Sequence, residues 1–235
     1  MISLNELAEF LDRFFAMHLY QDDQGGVYCA SPRPVRRLGV ALEPWLQLGT
    51  WVRDQRLDAL FLHRPWQLDP QQLAGDVGVV AYHHAFDERL TLGWNLRLAE
   101  AMELSQVEVL GHKDDRPLGM IGEVRAQSFA TFRLRIAQTF GGEEQTRLYD
   151  KGEITRVAVV GAMTELLVGE AWHRGAQVYV TGQWRKPAGR AVAENGIGVI
   201  VVGHRRSEEW GLRALAGVIR ERWAEVEVVL PQSHE

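Results

Sequence analysis

The stretch Val79-Val80-Ala81-Tyr82-His83-His84 is a short apolar run that ends on two histidines. Two other runs have the same form, Ala59-Leu60-Phe61-Leu62-His63 and Val199-Ile200-Val201-Val202-Gly203-His204. Continuous apolar runs of this length are typical of strands buried on both faces of a parallel sheet. In an open α/β sheet, ligands bind outside the carboxyl ends of such strands. We therefore expect residues that are distant in sequence to converge there.

Carboxylates follow two of these runs at a spacing that lets acid and imidazole reach the same point. Asp87 comes after His83 and His84, and Glu208 comes after His204. Imidazole and carboxylate are the usual nitrogen and oxygen ligands of zinc, iron and manganese. A single histidine at the end of a strand is more often a hydrogen-bonded surface or core residue. Three such histidines, two of them followed by an acid, favour a divalent-metal site instead.

Composition limits the class of protein. The 235 residues are 46% hydrophobic and 24% charged, which is ordinary for a soluble globular chain. The formal net charge of -5 argues against a nucleic-acid-binding protein. Because Cys29 is the only cysteine, no intrachain disulfide can form, and we expect a cytoplasmic protein without a signal peptide or membrane span.

Predicted strands alternate with predicted helices along the chain, which favours an α/β fold. Ser3 and Glu6 predict the start of an amphipathic first helix. Strands are predicted at 35–42, 57–63, 77–82, 121–124, 156–160, 177–181 and 198–202, and later helices at 43–54, 92–104, 128–140, 161–172, 184–194 and 208–222. We predict a layered α/β/α sandwich of two similar subdomains around a mixed, largely parallel sheet. The polar turn at 112–117 suggests the boundary, with residues 1–112 completed by 195–235 as the first subdomain and 113–194 as the second.

Four motifs, in order and spacing, resemble the Nif-three-like dinuclear metal-centre hexameric proteins, a family also labelled GTP cyclohydrolase I type 2. They are Ala59-Leu60-Phe61-Leu62-His63-Arg64-Pro65, His83-His84-Ala85-Phe86-Asp87, Thr181-Gly182-Gln183 and Gly203-His204-Arg205-Arg206-Ser207-Glu208. The resemblance covers nearly the whole chain. It implies a pair of divalent metals, a homo-hexameric ring and a purine nucleotide, GTP, as the suggested substrate.

Carried over to this sequence, the family pattern implies four metal ligands, His63, Asp87, His204 and Glu208. It also places His83 beside the site, where an unligated imidazole can move a proton as a catalytic residue. The expected cofactor is zinc, iron or manganese, with one or two ions per chain.

Two positions depart from the family pattern. The second of two adjacent histidines is Arg64 here, and a guanidinium cannot ligate a metal because it stays protonated and only donates. We favour the interpretation that Arg64 replaces the charge of the second cation and pairs with Asp87 or Glu208, leaving one metal or none. Alternatively, His84 supplies the missing nitrogen as a substitute ligand, or water fills the position. A glutamate of the family is Gln183 here, which lowers the negative charge of the site.

The sequence supports two functional hypotheses. The first is a metal-dependent hydrolase of a nucleotide-like or phosphorylated small molecule, in which Arg64 binds a phosphate and Trp66 and Gln183 line the site. The second is a non-catalytic, ring-forming metal-binding protein with a scaffold or regulatory role. No Walker motif, dinucleotide fingerprint or Gly-x-Ser-x-Gly elbow is present, so kinase, dehydrogenase and serine-hydrolase functions have no support.

Overall fold

The computed structural model describes residues 1–231, in which helices and strands alternate along much of the chain. The helices are α1 Leu4–Phe14, α2 Leu48–Asp54, α3 His84–Leu90, α4 Leu96–Ala101, α5 Phe129–Phe140, α6 Glu165–His173, α7 Gly189–Asn195 and α8 His204–Arg222. The strands are β1 Val27–Cys29, β2 Arg37–Ala41, β3 Ala59–Leu62, β4 Gly78–Ala81, β5 Ser105–Lys113, β6 Arg116–Gln127, β7 Gln145–Arg147, β8 Ile154–Val160, β9 Val178–Thr181, β10 Gly198–Val201 and β11 Glu227–Val229. The predicted α/β class is confirmed.

The chain divides into two compact units. The first contains Met1–Phe86 and the chain from Leu212 onward, and the second contains Asp87–Gly211. The sequence pattern put the subdomain boundaries near residues 112 and 194. Residues 232–235, the end of the predicted first subdomain, lie outside the described part of the chain.

The polar stretch at 112–117 is the turn of a hairpin inside the second unit. Strands β5 and β6 pair antiparallel, and Lys113 lies opposite Arg116. Asp114 and Asp115 between them have φ angles of 49° and 63°, which is the backbone of a type I′ hairpin turn. Turn-forming residues mark a tight hairpin and a linker alike, so composition does not distinguish the two.

The first unit is built on a five-stranded sheet in the order β1-β4-β3-β2-β11. Strands β4, β3, β2 and β11 run parallel, and the short β1 pairs antiparallel with β4 at one edge. Leu60 and Leu62 of β3 pack into one apolar cluster with α2. Phe61 faces the other side, where its ring stacks with that of Tyr82. Burial on both faces explains why β3 lacks polar alternation.

The second unit contains a six-stranded mixed sheet in the order β5-β6-β8-β9-β10-β7. Val157 and Val159 of β8 pack in a cluster with α5, whereas Ala158 and Val160 pack in another with α6 and α7. Helices therefore cover both faces of this sheet, as in an α/β/α layer arrangement. No helix within residues 1–231 is long and apolar enough to cross a membrane.

Candidate metal centre

His63 lies at the carboxyl end of β3 and is fully buried. Its Nδ1 atom lies 3.0 Å from the main-chain oxygen of Tyr82, at the end of the neighbouring strand β4. Because a carbonyl oxygen only accepts hydrogen bonds, Nδ1 carries the proton and donates. Nε2 is therefore the nitrogen that this histidine can offer to a metal, in the arrangement that commonly orients a histidine ligand.

Three of the predicted site residues come together at this edge. The ring of His83 lies 5.1 Å from that of His63, centroid to centroid. Helix α3 begins at His84, directly after His83, and carries Asp87 in its first turn. One donor atom each from His63, His83 and Asp87 lies within 4.8 Å of the other two. Two imidazoles and a carboxylate are a donor set that fits zinc, iron or manganese.

His84 lies in a different group, with a residue that the sequence did not single out. Asp23 Oδ1 is 2.9 Å from His84 Nδ1 and 3.4 Å from His83 Nδ1. The amide of Ala85 donates to Asp23 Oδ2 at 3.3 Å. Burial alone raises the pKa of the Asp23 carboxyl, but the hydrogen bond from His83, the charge of His84 and the Ala85 amide outweigh it and lower that pKa.

The position of Asp23 follows from sheet topology. Strand β1 runs antiparallel to β4, so the segment before β1 lies beside the carboxyl end of β4. Two main-chain hydrogen bonds join these segments, from the Ala81 amide to the Gly26 oxygen at 2.9 Å and from the His83 amide to the Gln24 oxygen at 3.1 Å. An aspartate in a turn-rich segment carries no sequence pattern that would have predicted this contact.

Arg64 pairs with a carboxylate that we did not predict for it. Its Nε donates to Glu43 Oε2 at 3.1 Å. Both residues follow neighbouring parallel strands, and the Arg64 amide donates to the Leu42 oxygen at 2.7 Å. The ion pair holds the arginine near the end of β3, beside His63. Its predicted pairing with Asp87 or Glu208 stays a prediction.

In the second unit, His204 and Glu208 lie one turn apart at the start of α8. His204 Nε2 is 3.0 Å from Glu208 Oε1, and the Glu208 side chain is 1% exposed whereas that of His204 is 62% exposed. Gly203 precedes them with φ of 99°, a conformation that side chains rarely adopt. This glycine lets the chain turn from β10 into the helix and sets where His204 begins it.

A pocket of about 580 Å³ lies in the second unit and includes His204 in its wall. Its other lining residues are 161–165, Gln183, Arg185 and Pro187. Its volume is in the usual range for small-molecule sites, roughly 300–1,000 Å³. Gln183 lines this pocket, while its predicted place at the metal site stays a prediction, and the cation Arg185 is a residue that the sequence pattern did not indicate.

Two side chains of β9 hold one wall of this pocket in place. Thr181 Oγ1 donates to the Gly161 oxygen at 3.2 Å, and the hydroxyl of Tyr179 donates to the Ala162 oxygen at 2.7 Å. Burial raises the pKa of Tyr179, so this hydroxyl stays a donor. These two hydrogen bonds attach the loop after β8 to strand β9.

Trp66 packs against His83 and is itself exposed. Their rings meet edge to face at 4.8 Å, and Trp66 is 56% exposed. Edge-to-face contact is a favourable arrangement for two aromatic rings. The structure thus brings Trp66 to the histidine group, while its part in ligand binding stays a prediction.

Several known proteins are similar to this chain over nearly its whole length. A family model described as Duf34/NIF3 (NGG1p interacting factor 3) matches residues 2–235. A relative from Pyrococcus horikoshii named GTP cyclohydrolase 1 type 2 homolog is 25% identical over 236 residues, covering 93% of this chain and 94% of its own length. Two solved structures share the fold. TTHA1606 from Thermus thermophilus has a TM-score of 0.74, 18% identity and coverage of 100% of this chain and 99% of its own. A Bacillus cereus protein related to NIF3 has a TM-score of 0.72, 16% identity and coverage of 99% and 97%.

Proposed function

Because this chain belongs to the Duf34/NIF3 family, we propose that it is a metal-dependent hydrolase acting on a nucleotide-like or phosphorylated small molecule. The observation that carries this proposal is the convergence of His63, His83 and Asp87 within 4.8 Å. Buried, preoriented imidazole beside a carboxylate is an arrangement that enzymes use to hold a divalent cation.

His63 and Asp87 would hold the cation, and the family pattern adds His204 and Glu208 to the ligand set. A bound divalent cation lowers the pKa of a water molecule toward neutrality and polarises a phosphoryl or carbonyl oxygen. The donor chemistry of these residues supports zinc, iron or manganese.

His83 is proposed to move the proton. It is more accessible than His63, with 21% of its side chain exposed, and its Nδ1 faces the Asp23 carboxylate at 3.4 Å. A histidine oriented by a carboxylate keeps its other nitrogen for exchange with a reacting group.

The pocket of the second unit has both an acid, Glu165, and a cation, Arg185, in its wall, and we propose that it binds a small substrate with an anionic group. Arg185 lines it, and guanidinium is the side chain best suited to bind phosphate through two parallel hydrogen bonds. Gln183 adds a neutral amide that can donate as well as accept. The name of the Pyrococcus horikoshii relative suggests GTP as the first nucleotide to test.

We also propose a homo-hexameric ring, on the family resemblance, and a cytoplasmic location, on the single cysteine. Light scattering of the purified chain tests the ring. A dimer or monomer at micromolar concentration would contradict it without affecting the proposed activity.

The activity is tested on full-length protein purified without chelator and loaded separately with Zn²⁺, Mn²⁺ or Fe²⁺. A panel of nucleoside triphosphates and phosphomonoesters that includes GTP measures turnover, and elemental analysis measures bound metal. We expect turnover of at least one compound, and we expect His63→Asn to lose metal and at least about 100-fold in activity.

The matched control is His173→Asn, since His173 is exposed and its Nδ1 bonds only locally, to the Gly169 oxygen at 2.7 Å. This variant should keep both metal and turnover. Bound metal with no turnover over the whole panel would overturn the hydrolase and favour a non-catalytic metal-binding protein.

A further inference from the structure

We propose that Asp23, His83 and His84 form a second divalent-cation site, distinct from the group around His63. One donor atom from each of these three residues lies within 4.8 Å of the other two. None of the family motifs quoted above contains Asp23, whereas His83 and His84 lie in the second of them. It does not require the proposed hydrolase activity, although it shares His83 with that site.

The distances fit a small cation. Ligand atoms held about 2.1 Å from a tetrahedral zinc ion are roughly 3.4 Å from one another. Asp23 Oδ1 lies 3.4 Å from His83 Nδ1 and 2.9 Å from His84 Nδ1. Both distances from Asp23 are therefore within about half an ångström of the tetrahedral spacing, and donor atoms of the two histidines are within 4.8 Å of each other.

The Asp23 carboxylate accepts a hydrogen bond from a main-chain amide and is largely shielded from solvent. The Asp23 side chain is 7% exposed, and the Ala85 amide fixes its second oxygen at 3.3 Å. Buried charge is costly unless it is paired or binds a metal. By contrast, the His84 side chain is 62% exposed, so a cation can approach from solvent on that side.

The segment that carries Asp23 is anchored at both ends. Tyr20 is buried and its oxygen accepts from the Asp23 amide at 3.4 Å, and the Gln24 oxygen accepts from the His83 amide. The methyl carbon Cε of Met17 lies 2.2 Å from where a Cβ on Gly25 would be, so the chain packs closely at this point. A preorganised carboxylate loses little entropy when a cation binds.

Sharing His83 couples the two groups. A neutral imidazole has one lone-pair nitrogen and one N–H. If Nδ1 ligates a cation beside Asp23, Nε2 carries the proton and can no longer accept one. Occupation of the Asp23 site is therefore expected to remove the proton-accepting role proposed for His83, so that excess cation inhibits.

Zinc binding to the full-length, metal-stripped protein tests the site, measured by isothermal titration and by the visible absorption of Co²⁺ as a stand-in. We expect Asp23→Asn and His84→Asn each to weaken zinc binding at the Asp23 site by at least about 10-fold. Asp22→Asn is the matched control, since Asp22 is the adjacent, exposed carboxylate and should leave the isotherm unchanged. His84→Asn changes an exposed side chain, so it keeps the test valid if Asp23→Asn does not fold.

His63→Asn separates this inference from the proposed function. This variant should lose zinc binding at the site around His63 and keep zinc binding at the site formed by Asp23, His83 and His84. If Asp23→Asn and His84→Asn both bind zinc like the wild type, the second site is refuted while the first stands. If His63→Asn binds zinc like the wild type while Asp23→Asn and His84→Asn lose binding, the proposed function is refuted and the Asp23 site is supported.

Discussion

The main-chain oxygen of Tyr82 accepts a hydrogen bond from Nδ1 of the buried His63 at 3.0 Å. The side chain of the same tyrosine contacts helix α1, where its hydroxyl lies 2.8 Å from Asp12 Oδ1 and 2.9 Å from the Ala8 oxygen. One residue thus orients a candidate metal ligand with its backbone and anchors the first helix with its phenol.

Tyr82→Phe should therefore destabilise the protein without changing the donor set. The substitution removes a buried hydroxyl together with its hydrogen bond, which costs about 1 kcal/mol in the free energy of unfolding. Urea denaturation of both proteins measures this difference. Tyr28→Phe, at an exposed tyrosine, is the control, and an equal loss in both variants would contradict the role of the Tyr82 hydroxyl.

Arg64→His should add a bound metal ion. The change removes the ion pair with Glu43 and places an imidazole beside His63, as in the family pattern. Elemental analysis of protein purified without chelator counts the ions per chain. Arg64→Gln also breaks the ion pair but supplies no imidazole, so it should not gain metal. If Arg64→His gains none either, Arg64 is not the reason for a missing ligand.

Glu6 should make the stability of the first helix depend on pH. Its carboxylate accepts from the Ser3 amide at 2.7 Å in a capping box, and this backbone hydrogen bond, with that from the Ser3 hydroxyl, lowers its pKa. Because folding lowers the pKa of Glu6, its ionised carboxylate stabilises the folded protein at pH values above its ordinary pKa of 4.5. This stabilisation is lost as the pH falls through the lower pKa of the folded state.

The Glu6 prediction is checked by denaturation curves between about pH 7 and about pH 3, which span the titration of the carboxyl group. Glu6→Gln should be less stable than wild type at neutral pH and should approach it at acidic pH. Glu9→Gln, on an exposed position of the same helix, controls for loss of charge alone. Parallel pH profiles for wild type and Glu6→Gln would show that ionisation of the capping carboxylate does not contribute to stability.

Gly203→Ala should destabilise the second unit and disturb the start of α8. A residue with a Cβ is strained at φ of 99°, and this strain costs about 1–3 kcal/mol. The new Cβ would also meet Glu144 Oε1 at 2.6 Å, but that atom ends a flexible side chain, so the backbone strain dominates.

Gly217→Ala is the matched control for that substitution. Gly217 lies inside α8, and a methyl group added there would meet no atom within 4 Å, so alanine should stabilise the helix by up to about 1 kcal/mol. Thermal unfolding of the two variants should shift in opposite directions. A neutral Gly203→Ala would show that the turn into α8 tolerates a side chain.

The parallel strands were predictable because burial on both faces leaves a mark in the sequence. The runs at 57–63, 77–82 and 198–202 contain β3, β4 and β10. Strand β5 was missed, since its pairing with β6 shifts register between Ser105 and Glu108 and Gln106 has φ of 48°. A bulge interrupts the two-residue alternation that identifies a half-buried strand. Helix α3 was missed because seven residues are too few to show a period.

The amino-acid sequence by itself determined which residue types end the buried strands, and it predicted that the strand ends at His63, His83 and His204 would converge. The hydrophobic pattern identifies buried strands but not their order, and the structure places β3 and β4 in one sheet and β10 in the other. Only the tertiary structure decided that Asp23 joins His83 and His84 and that Arg64 pairs with Glu43. Those contacts depend on the antiparallel edge strand β1 and on the register of β2 with β3, which bring together polar residues that carry no periodic pattern of their own.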